Sequence, residues 1–461
     1  MWICRDLNRA LSTWVHQTLA RQIRTAIVGL AGTLCSLLGV PGLAAELKPD
    51  TLGVEVRYSA AVQTQDGERS LSRLTITPEA TWRFGRYWRA ETSFRLELAN
   101  DDTGLGTVEG YSALTKPWVD AEHARIELDR AHITWRSGAS RIRIGKQVTA
   151  WGVLDGVRIT DRFDAVRRRD FLYTDVRPER IARWGAQART DIGAWTVELS
   201  SAVDPTVSQQ ANLGDVFAPQ APRFTGGLDI NTLAAIAPVS IRTAGRNAYG
   251  RDLTYGARTS RDLGTGRFNL LAFRGPTTDP VLEWADGVIG TEIELRHPIR
   301  TLIGASVDYS LGSTVLRAEL AYIPDQPVNL LSNAGLASTV EERWLAGVAV
   351  DLDGPFGVFI NAQFALDYMP EEDATFARPQ TDLISTIRLQ RSFPQAGWRI
   401  QLEYLGSLTD RDGVVRPQIS KELNDKLRLA VGGDFAFGSD QGIFGQFERQ
   451  NRGWLRLQLN L

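Results

Sequence analysis

Trp454-Leu-Arg-Leu-Gln-Leu-Asn-Leu461 ends the chain with leucine at every second position. Leu455, Leu457, Leu459 and Leu461 alternate with Arg456, Gln458 and Asn460. A period of two belongs to a β-strand with unlike faces, because successive side chains point to opposite sides. The pattern recurs upstream. Leu52, Val54, Val56 and Tyr58 alternate with Gly53, Glu55 and Arg57. Phe94, Leu96 and Leu98 alternate with Arg95 and Glu97. Leu316, Ala318, Leu320 and Tyr322 alternate with Val315, Arg317 and Glu319, and Phe356 to Leu366 repeats the scheme around Asn361 and Gln363. The chain is all-β by this reading.

Two folds bury such a face. A soluble sandwich packs it against a second sheet, whereas a transmembrane antiparallel β-barrel turns it to lipid and its polar face to the lumen. Periodicity does not separate them, and length is neutral, since 461 residues fit one large barrel or two globular domains. Composition narrows the choice. Only 43% of residues are hydrophobic, whereas each helical span needs roughly 20 consecutive apolar residues. A barrel needs apolar residues only at alternate positions, so its mean hydropathy looks soluble.

The N-terminus decides for the barrel. Arg5, Arg9, Arg21 and Arg24 precede an apolar run from Ala26 to Val40, then Pro41 and the small residues Gly42, Ala44 and Ala45. Basic, apolar, then small is the order of a secretory signal peptide, here residues 1–45, cleaved after Ala44 or Ala45. An uncleaved anchor helix is the alternative. The basic region is long for a leader, which points to a start codon downstream of Met1. Cys35 is not a lipoprotein cysteine, because Leu34 stands where a small residue is needed and the apolar run continues past it. Both cysteines, Cys4 and Cys35, lie in the leader, so the mature chain 46–461 has no thiol, disulfide or cysteine metal site.

Turn signals alternate between short and long, as short periplasmic turns and long outer loops do in outer-membrane barrels. Short ones fall at Phe84-Gly85-Arg86, Ser137-Gly138-Ala139, Asp191-Ile192-Gly193, Gly264-Thr265-Gly266, Leu311-Gly312-Ser313, Asp353-Gly354-Pro355 and Pro394 to Gly397. Long ones span 100–121, 151–183, 202–251, 276–300, 324–342, 369–380 and 438–452. With the mature N-terminus in the periplasm, this pattern predicts about 18 strands and an even count. Gly290 to His297 also alternates and reads either as a β segment within a loop or as part of another hairpin, so the expectation is 16 to 18. Tyr58, Trp82, Tyr87, Trp88, Trp118, Trp135, Trp184, Trp344, Tyr368, Trp398 and Trp454 fall near predicted strand ends, where indole and phenol rings form headgroup-level girdles. Any β protein also places aromatics in strands.

Two stretches carry a family resemblance. Arg141-Ile-Arg-Ile-Gly-Lys-Gln-Val-Thr-Ala-Trp-Gly152 contains Gly145, Gln147, Trp151 and Gly152, and enters a loop with spaced aspartates. Val431-Gly-Gly-Asp-Phe-Ala-Phe-Gly438 is followed by Gly442-Ile-Phe-Gly-Gln-Phe447 and Asn451-Arg452. Together with Thr301 to Tyr322, these stretches resemble a family of uncharacterised proteobacterial porin-like outer-membrane barrels, with a general plan comparable to alginate-export barrels. The resemblance implies a barrel in the outer membrane and names no substrate. Gly145 and Gly152 bracket a strand end where glycine permits close approach, and Trp151 is expected to anchor the rim.

The loop after that motif is the candidate site. It mixes Arg158, Arg162, Arg167, Arg168, Arg169, Arg177 and Arg180 with Asp155, Asp161, Asp164, Asp170, Asp175 and Glu179. Folded into the lumen, it would narrow the channel with opposed charges and favour polar or charged solutes. Left outside, it would be a loop laced by exposed salt bridges worth ~0–1 kcal/mol each. Residues 202–251 form a second candidate segment, a plug, a lid or a rim helix, with the apolar stretch Leu233 to Pro238. Nearly all basic residues are arginine: a GC-rich genome explains that, and so does a pore lined for anions.

Other chemistries find little support. Net charge is −2 with no basic tail, so no nucleic-acid partner is expected. His123 and His132 lie nine apart on what reads as one strand, so they would face opposite sides, and His297 precedes Pro298. No G-x-S-x-G motif, clustered metal ligands or phosphate loop appears, so no catalytic residues, metal or cofactor are expected. Acidic turns at Asp101-Asp102 and Asp410 to Asp412 could hold calcium, though solvated turns explain them too. The expected function is a porin-like outer-membrane channel for passive passage of small polar or anionic solutes. The alternatives are a phospholipase-like barrel hydrolase and a non-conducting barrel that docks a periplasmic export system. Expected partners are outer-membrane lipid, small polar solutes and the assembly machinery, which reads the terminal strand although Leu461 replaces the usual aromatic. Monomer and trimer both present a lipid-facing band.

Overall fold

The computed structural model describes residues 49–100, 104–106, 108, 110–169, 179–209, 211, 215, 217–227, 240–244, 252–277, 279–285, 292–331 and 336–461. The expected leader 1–45, Asp101-Asp102, Asp170, Asp175, Arg177 and the stretch Leu233 to Pro238 lie outside them. In chain order the strands are β1 (Thr51–Gln63), β2 (Arg69–Phe84), β3 (Trp88–Ala99), β4 (Val119–Ala121), β5 (Ala124–Ser137), β6 (Ser140–Gln147), β7 (Arg183–Ile192) and β8 (Trp195–Ala202). Next come β9 (Ser240–Thr243), β10 (Thr254–Asp262), β11 (Gly266–Pro276), β12 (Val281–Trp284), β13 (Glu292–Arg296), β14 (Ile299–Leu311), β15 (Thr314–Leu330) and β16 (Ala337–Asp353). The last are β17 (Val358–Tyr368), β18 (Thr381–Phe393), β19 (Trp398–Ser407), β20 (Asp412–Glu422), β21 (Leu427–Phe437) and β22 (Arg452–Asn460).

Leaving aside the short β4, β9, β12 and β13, each strand pairs antiparallel with the next, and β22 closes the ring on β1. The result is an 18-stranded antiparallel barrel, the upper end of the expected range. Closure pairs Glu55 with Asn460, Arg57 with Gln458 and Ala61 with Trp454, so the barrel wall has no open strand edge. Glu292–Arg296 alternates because it is strand β13, a β segment inside a loop, paired with β12 and β9.

The apolar face of the alternation points outward. Ile144, Leu199, Leu270, Ile303, Leu320, Val348, Phe364, Ile387, Leu402, Val431 and Leu455 are exposed large hydrophobics, and each occupies the outward register of its strand. Their neighbours along the chain, Glu198, Asn269, Glu319, Gln363 and Glu403, are buried polar residues of the inner face. An apolar exterior round a polar interior identifies a membrane-spanning barrel. Tyr322 stacks on Trp344 at 4.5 Å, and Trp344 pairs with Tyr368, forming part of a girdle near the long-loop end.

Four expectations are corrected. The segment 324–342 is not a long loop, because β15 runs to Leu330 and β16 starts at Ala337. Pro324 falls in a register shift between Ile323 and Gln326, a bulge where a missing N–H costs little, and pairing then resumes with Pro327 opposite Val340. Trp454 is not a girdle residue: it shares the lumen face with Arg456, whose guanidinium stacks over its ring at 5.0 Å. His123 and His132 do not share a strand, since His123 is exposed in the turn before β5 while His132 is buried on β5. Trp151 does not anchor the rim, as described below.

A segment crossing the lumen as candidate constriction

Gly145 begins the departure from the wall. Its φ is +128°, and a Cβ there would lie 2.2 Å from the Ala131 carbonyl oxygen, so only glycine fits. Gln147 ends β6 with its amide donating to the Arg143 carbonyl at 3.4 Å. The chain then turns inward. Trp151 is 1% exposed, and its indole N–H donates to Glu198 Oε1 at 2.6 Å. The ring packs on Phe163 and Phe273 at centroid distances of 5.0 and 6.2 Å. A buried indole needs an acceptor, and Glu198 on β8 supplies one inside the barrel. Gly152 allows the close approach, because a Cβ there would sit 2.7 Å from that of Asp161.

The far wall holds the segment. Glu319 on β15, 4% exposed, accepts from the amides of Val153, Leu154 (2.8 Å) and Thr160 (2.8 Å) and from the Thr160 hydroxyl (2.7 Å). Gln363 on β17 accepts from the amides of Asp155 (3.2 Å) and Gly156 (3.1 Å). Arg317 reaches Asp155 at 3.7 Å while paired with Asp351. Leu154 and Ile159 occupy the space over Gly347, where a Cβ would lie 2.5 Å from Ile159 Cδ1. Residues 151–160 therefore leave one wall and are fixed to the opposite one.

Its charges are interlocked. Asp161 accepts from Arg180 and lies 3.7 Å from Arg158 Nε. Asp164 accepts from the Thr149 amide and lies 3.5 Å from Arg183. Burial pushes its carboxyl up to about 6, against the opposing pull of Arg183. Arg167 pairs with Glu127 and Glu179, Arg168 with Asp279, and Arg169 with Asp215 at 3.3 Å. Burial would raise Asp279, but Arg168 and Arg162 hold it down to about 2. Arg158 donates to the carbonyls of Asp161 and Asp164 at 2.6 and 2.9 Å, and Arg162 to the Arg158 carbonyl at 2.9 Å. Burial, followed by Arg343 and Arg300 nearby, pushes Arg162 well below its ordinary value. Asp155, Arg158, Asp161, Arg162, Asp164, Arg167, Arg168, Arg169 and Arg180 are thus brought together, and Asp170 and Arg177 lie outside the described residues.

The second long segment also descends. Asp204, fully buried, accepts from the hydroxyls of Ser112 and Thr206, both at 2.6 Å, and of Thr115. Gln209 and Val166 bond through their backbones at 3.0 Å. Pro222–Thr225 forms one helical turn, and Phe217 packs on Phe447 at 5.7 Å. Gln446 accepts from the amides of Gln220 and Ala221, tying this segment to the last long loop. Asp412 is occupied by the amides of Phe444 (2.6 Å) and Gly445 (2.9 Å), and Asp410 lies 3.5 Å from Arg223.

Two lumen cavities result, of about 650 and 990 Å³. Both are lined by Val157, Arg158, Arg162, Arg168, Gln209, Phe224, Ile384 and Ile443, so these residues form the partition between them. The smaller cavity sits by the long-loop ends of β14 to β18, and the larger reaches Gly53 and Asn460 at the short-turn end. The sequence analysis named the loop arginines but not the wall residues that meet them, Glu198, Glu319, Gln363, Gly347, Arg300 and Arg343. Their one signal was a polar or glycine residue at an inward register.

No family model matches the chain, and no curated protein matches it. In three dimensions it is similar to solved outer-membrane proteins. OccAB4 of Acinetobacter baumannii has a TM-score of 0.47 and 8% identity over 89% of this chain and 96% of that one. OccK11 (OpdR) of Pseudomonas aeruginosa has a TM-score of 0.47 and 9% identity over 89% and 95%. OmpF of Salmonella typhi, in complex with daunomycin, has a TM-score of 0.42 and 8% identity over 89% and 97%.

Proposed function

We propose that the protein is a passive porin-like channel of the outer membrane that favours small anionic solutes, with residues 151–169 as its constriction. Charge segregation carries this reading. The whole chain has 52 basic and 54 acidic residues. The smaller cavity nevertheless has seven arginines against three carboxylates, and the larger has twelve against five. A low-dielectric wall around a one-sign lining focuses its field on the water inside and concentrates counter-ions there. Arginine suits this task, since it stays charged and presents a fork to carboxylate or phosphate.

A further strip supports the same direction. Arg141 pairs across the sheet with Arg136 on one side and Arg189 on the other, at the short-turn end of the lumen. Like charges directly opposite destabilise a sheet, so the strip favours an anion in transit between them. The partners implied are lipid around the apolar belt, small anions in the lumen, and the assembly machinery at β22. Reconstitution in planar bilayers under a KCl gradient tests the channel. The expected reversal potential is that of chloride preference. A cation preference, or no conductance from folded protein, would overturn the proposal.

A further inference from the structure

The barrel wall is uneven in height. β15 and β16 have 17 residues each, whereas β6 and β8 have eight. A tilted transmembrane strand needs about 9–11 residues to cross the apolar layer. β6 stops short because the chain leaves the wall after Gln147 to cross the lumen. Its pairing on β5 ends where Lys146 meets Ala131, and β5 reaches on to Ala124.

A loop supplies the remaining height. β4 pairs with β5 at Val119–Ile126 and Ala121–Ala124, and the Trp118 amide donates to the Ile126 carbonyl at 2.8 Å. Directly paired residues share a face. Ile126 also pairs with Leu96, and Ala124 with Leu98, while Arg95 and Glu97 between them line the larger cavity. Val119 therefore faces outward with Leu96 and Leu98. The Trp118 ring lies 5.5 Å from that of Phe94, on the same outward register of β3. Beyond the short strand, Trp184 of β7 shares its face with Ala186, which pairs with outward Ile144. Its indole donates to the Leu114 carbonyl at 2.9 Å. Residues 112–119 thus bridge the outside of the wall from β3 to β7. Asp204 fixes them from behind through the hydroxyls of Ser112 and Thr115. What they present is apolar: Leu114, Trp118 and Val119 are 39%, 56% and 40% exposed.

We propose that residues 112–119 are a lipid-facing piece of the wall, seated against the acyl chains of the outer leaflet where β6 is too short to reach. Continuity decides the occupant. The patch joins Phe94 and Leu98 on one flank and Trp184 on the other, so it extends the apolar belt that already faces lipid. In water this contiguous apolar surface would be unfavourable, and acyl chains remove it. Polarity along the hairpin fits that depth. Glu122 and His123 are exposed at its tip, above Trp118 and Val119. Exposed Lys116 has a stem long enough to carry its ammonium up to lipid phosphates. The competing way to accommodate a short strand is a locally thinned bilayer, which would leave the loop in water. The proposal depends on the barrel lying in its membrane and not on which solute passes.

Residues 46–461 contain no cysteine, so one introduced thiol is unique. Leu114→Cys and Trp118→Cys carry a nitroxide in the folded mature barrel, reconstituted in phosphatidylcholine vesicles. Val348→Cys in the belt and Glu122→Cys at the tip serve as references. Power-saturation spectroscopy compares collisions with oxygen, which dissolves among acyl chains, and with a nickel chelate, which stays in water. Labels at Leu114 and Trp118 should collide several-fold more often with oxygen, as at Val348, and the order should reverse at Glu122. Chelate collisions equal to or above those of oxygen at Leu114, with Val348 unchanged, overturn the proposal in favour of a thinned membrane. A Leu114 label shielded from both reagents and broadened by a second label overturns it in favour of contact with a second copy. Heat-modifiable gel mobility verifies folding. Leu114 binds Trp184 through its backbone carbonyl, so its substitution leaves the loop's contacts in place and decides the matter even if Trp118→Cys fails to fold.

Discussion

Replacing Glu319 with alanine should release the crossing segment without unfolding the barrel. Its carboxylate receives four donors: the amides of Val153, Leu154 and Thr160 and the hydroxyl of Thr160. A hydrogen bond to a charged acceptor is worth about 1.5–3 kcal/mol, and an orphaned buried donor costs about 1–3. The lumen admits water, which restores part of each bond, so a net loss of about 3–5 kcal/mol of docking free energy is expected. At ~1.4 kcal/mol per factor of ten, the ratio of docked to undocked segment falls by roughly two to three orders of magnitude. The strand itself keeps its ladder to β14 and β16, since those bonds are made by the backbone. Single-channel recording in molar KCl should show a larger and noisier open current, with parent-like heat-modifiable mobility. Glu319→Gln should shift the current in the same direction by less, because its one carbonyl oxygen still accepts. An alanine variant with the parent's current, noise and ion preference would refute the idea that Glu319 holds the segment across the pore.

Gly347→Val tests the same contact from the opposite direction. Its side chain would meet Ile159 and Leu154, and overpacking typically costs about 1–3 kcal/mol, so raised conductance is expected in a folded barrel; unchanged current counts against the contact. Asp164 gives a pH dependence, since its carboxyl stands at about 6 through burial, above the ordinary ~3.9. A raised folded value means that its stabilisation of the docked loop is complete below pH ~4 and is lost as pH rises through about 6. Conductance noise should therefore grow between pH 5 and 7, and Asp164→Asn should flatten that trend. Neutralising Arg141 and Arg189 together should lower chloride preference while leaving thermal stability equal or higher, because cross-strand like charges cost about 0.2–1 kcal/mol; reversal potential and melting read the two effects separately. Trp151→Phe removes the indole donor to Glu198 and should destabilise docking by about 1–2 kcal/mol, visible as a smaller form of the Glu319 phenotype.

The barrel was legible because a strand writes its two faces into alternate residues. Leu455, Leu457 and Leu459 against Arg456 and Gln458 give the register of β22 before any partner is known, and β1 and β21 accept that register. Turn chemistry was legible at the short end, where glycines such as Gly138, Gly193 and Gly312 adopt positive φ. It failed over 324–342, expected as a long loop, since a bulge at Pro324 lets β15 run on to Leu330. The arginine-rich loop was recognisable, but its partners were not. Glu319 is 165 residues from Leu154 and Gln363 is 207 from Gly156, and no local pattern encodes such a distance. Trp151 read as a rim aromatic because aromatic composition is the same at an interface and in a core.

The sequence by itself determined an outward apolar face, an inward polar face, an even succession of hairpins and a loop dense in opposed charge. All of these follow from the period of two and from turn residues, which act over neighbouring positions. Only the tertiary structure decided which charges cancel. Asp279 pairs with Arg168 and Asp367 with Arg343 and Arg378, while Arg162 and Arg300 act on Asp279 through space. That balance depends on which side chains meet across the lumen once the ring closes, and Coulomb's law reads distance in space rather than along the chain.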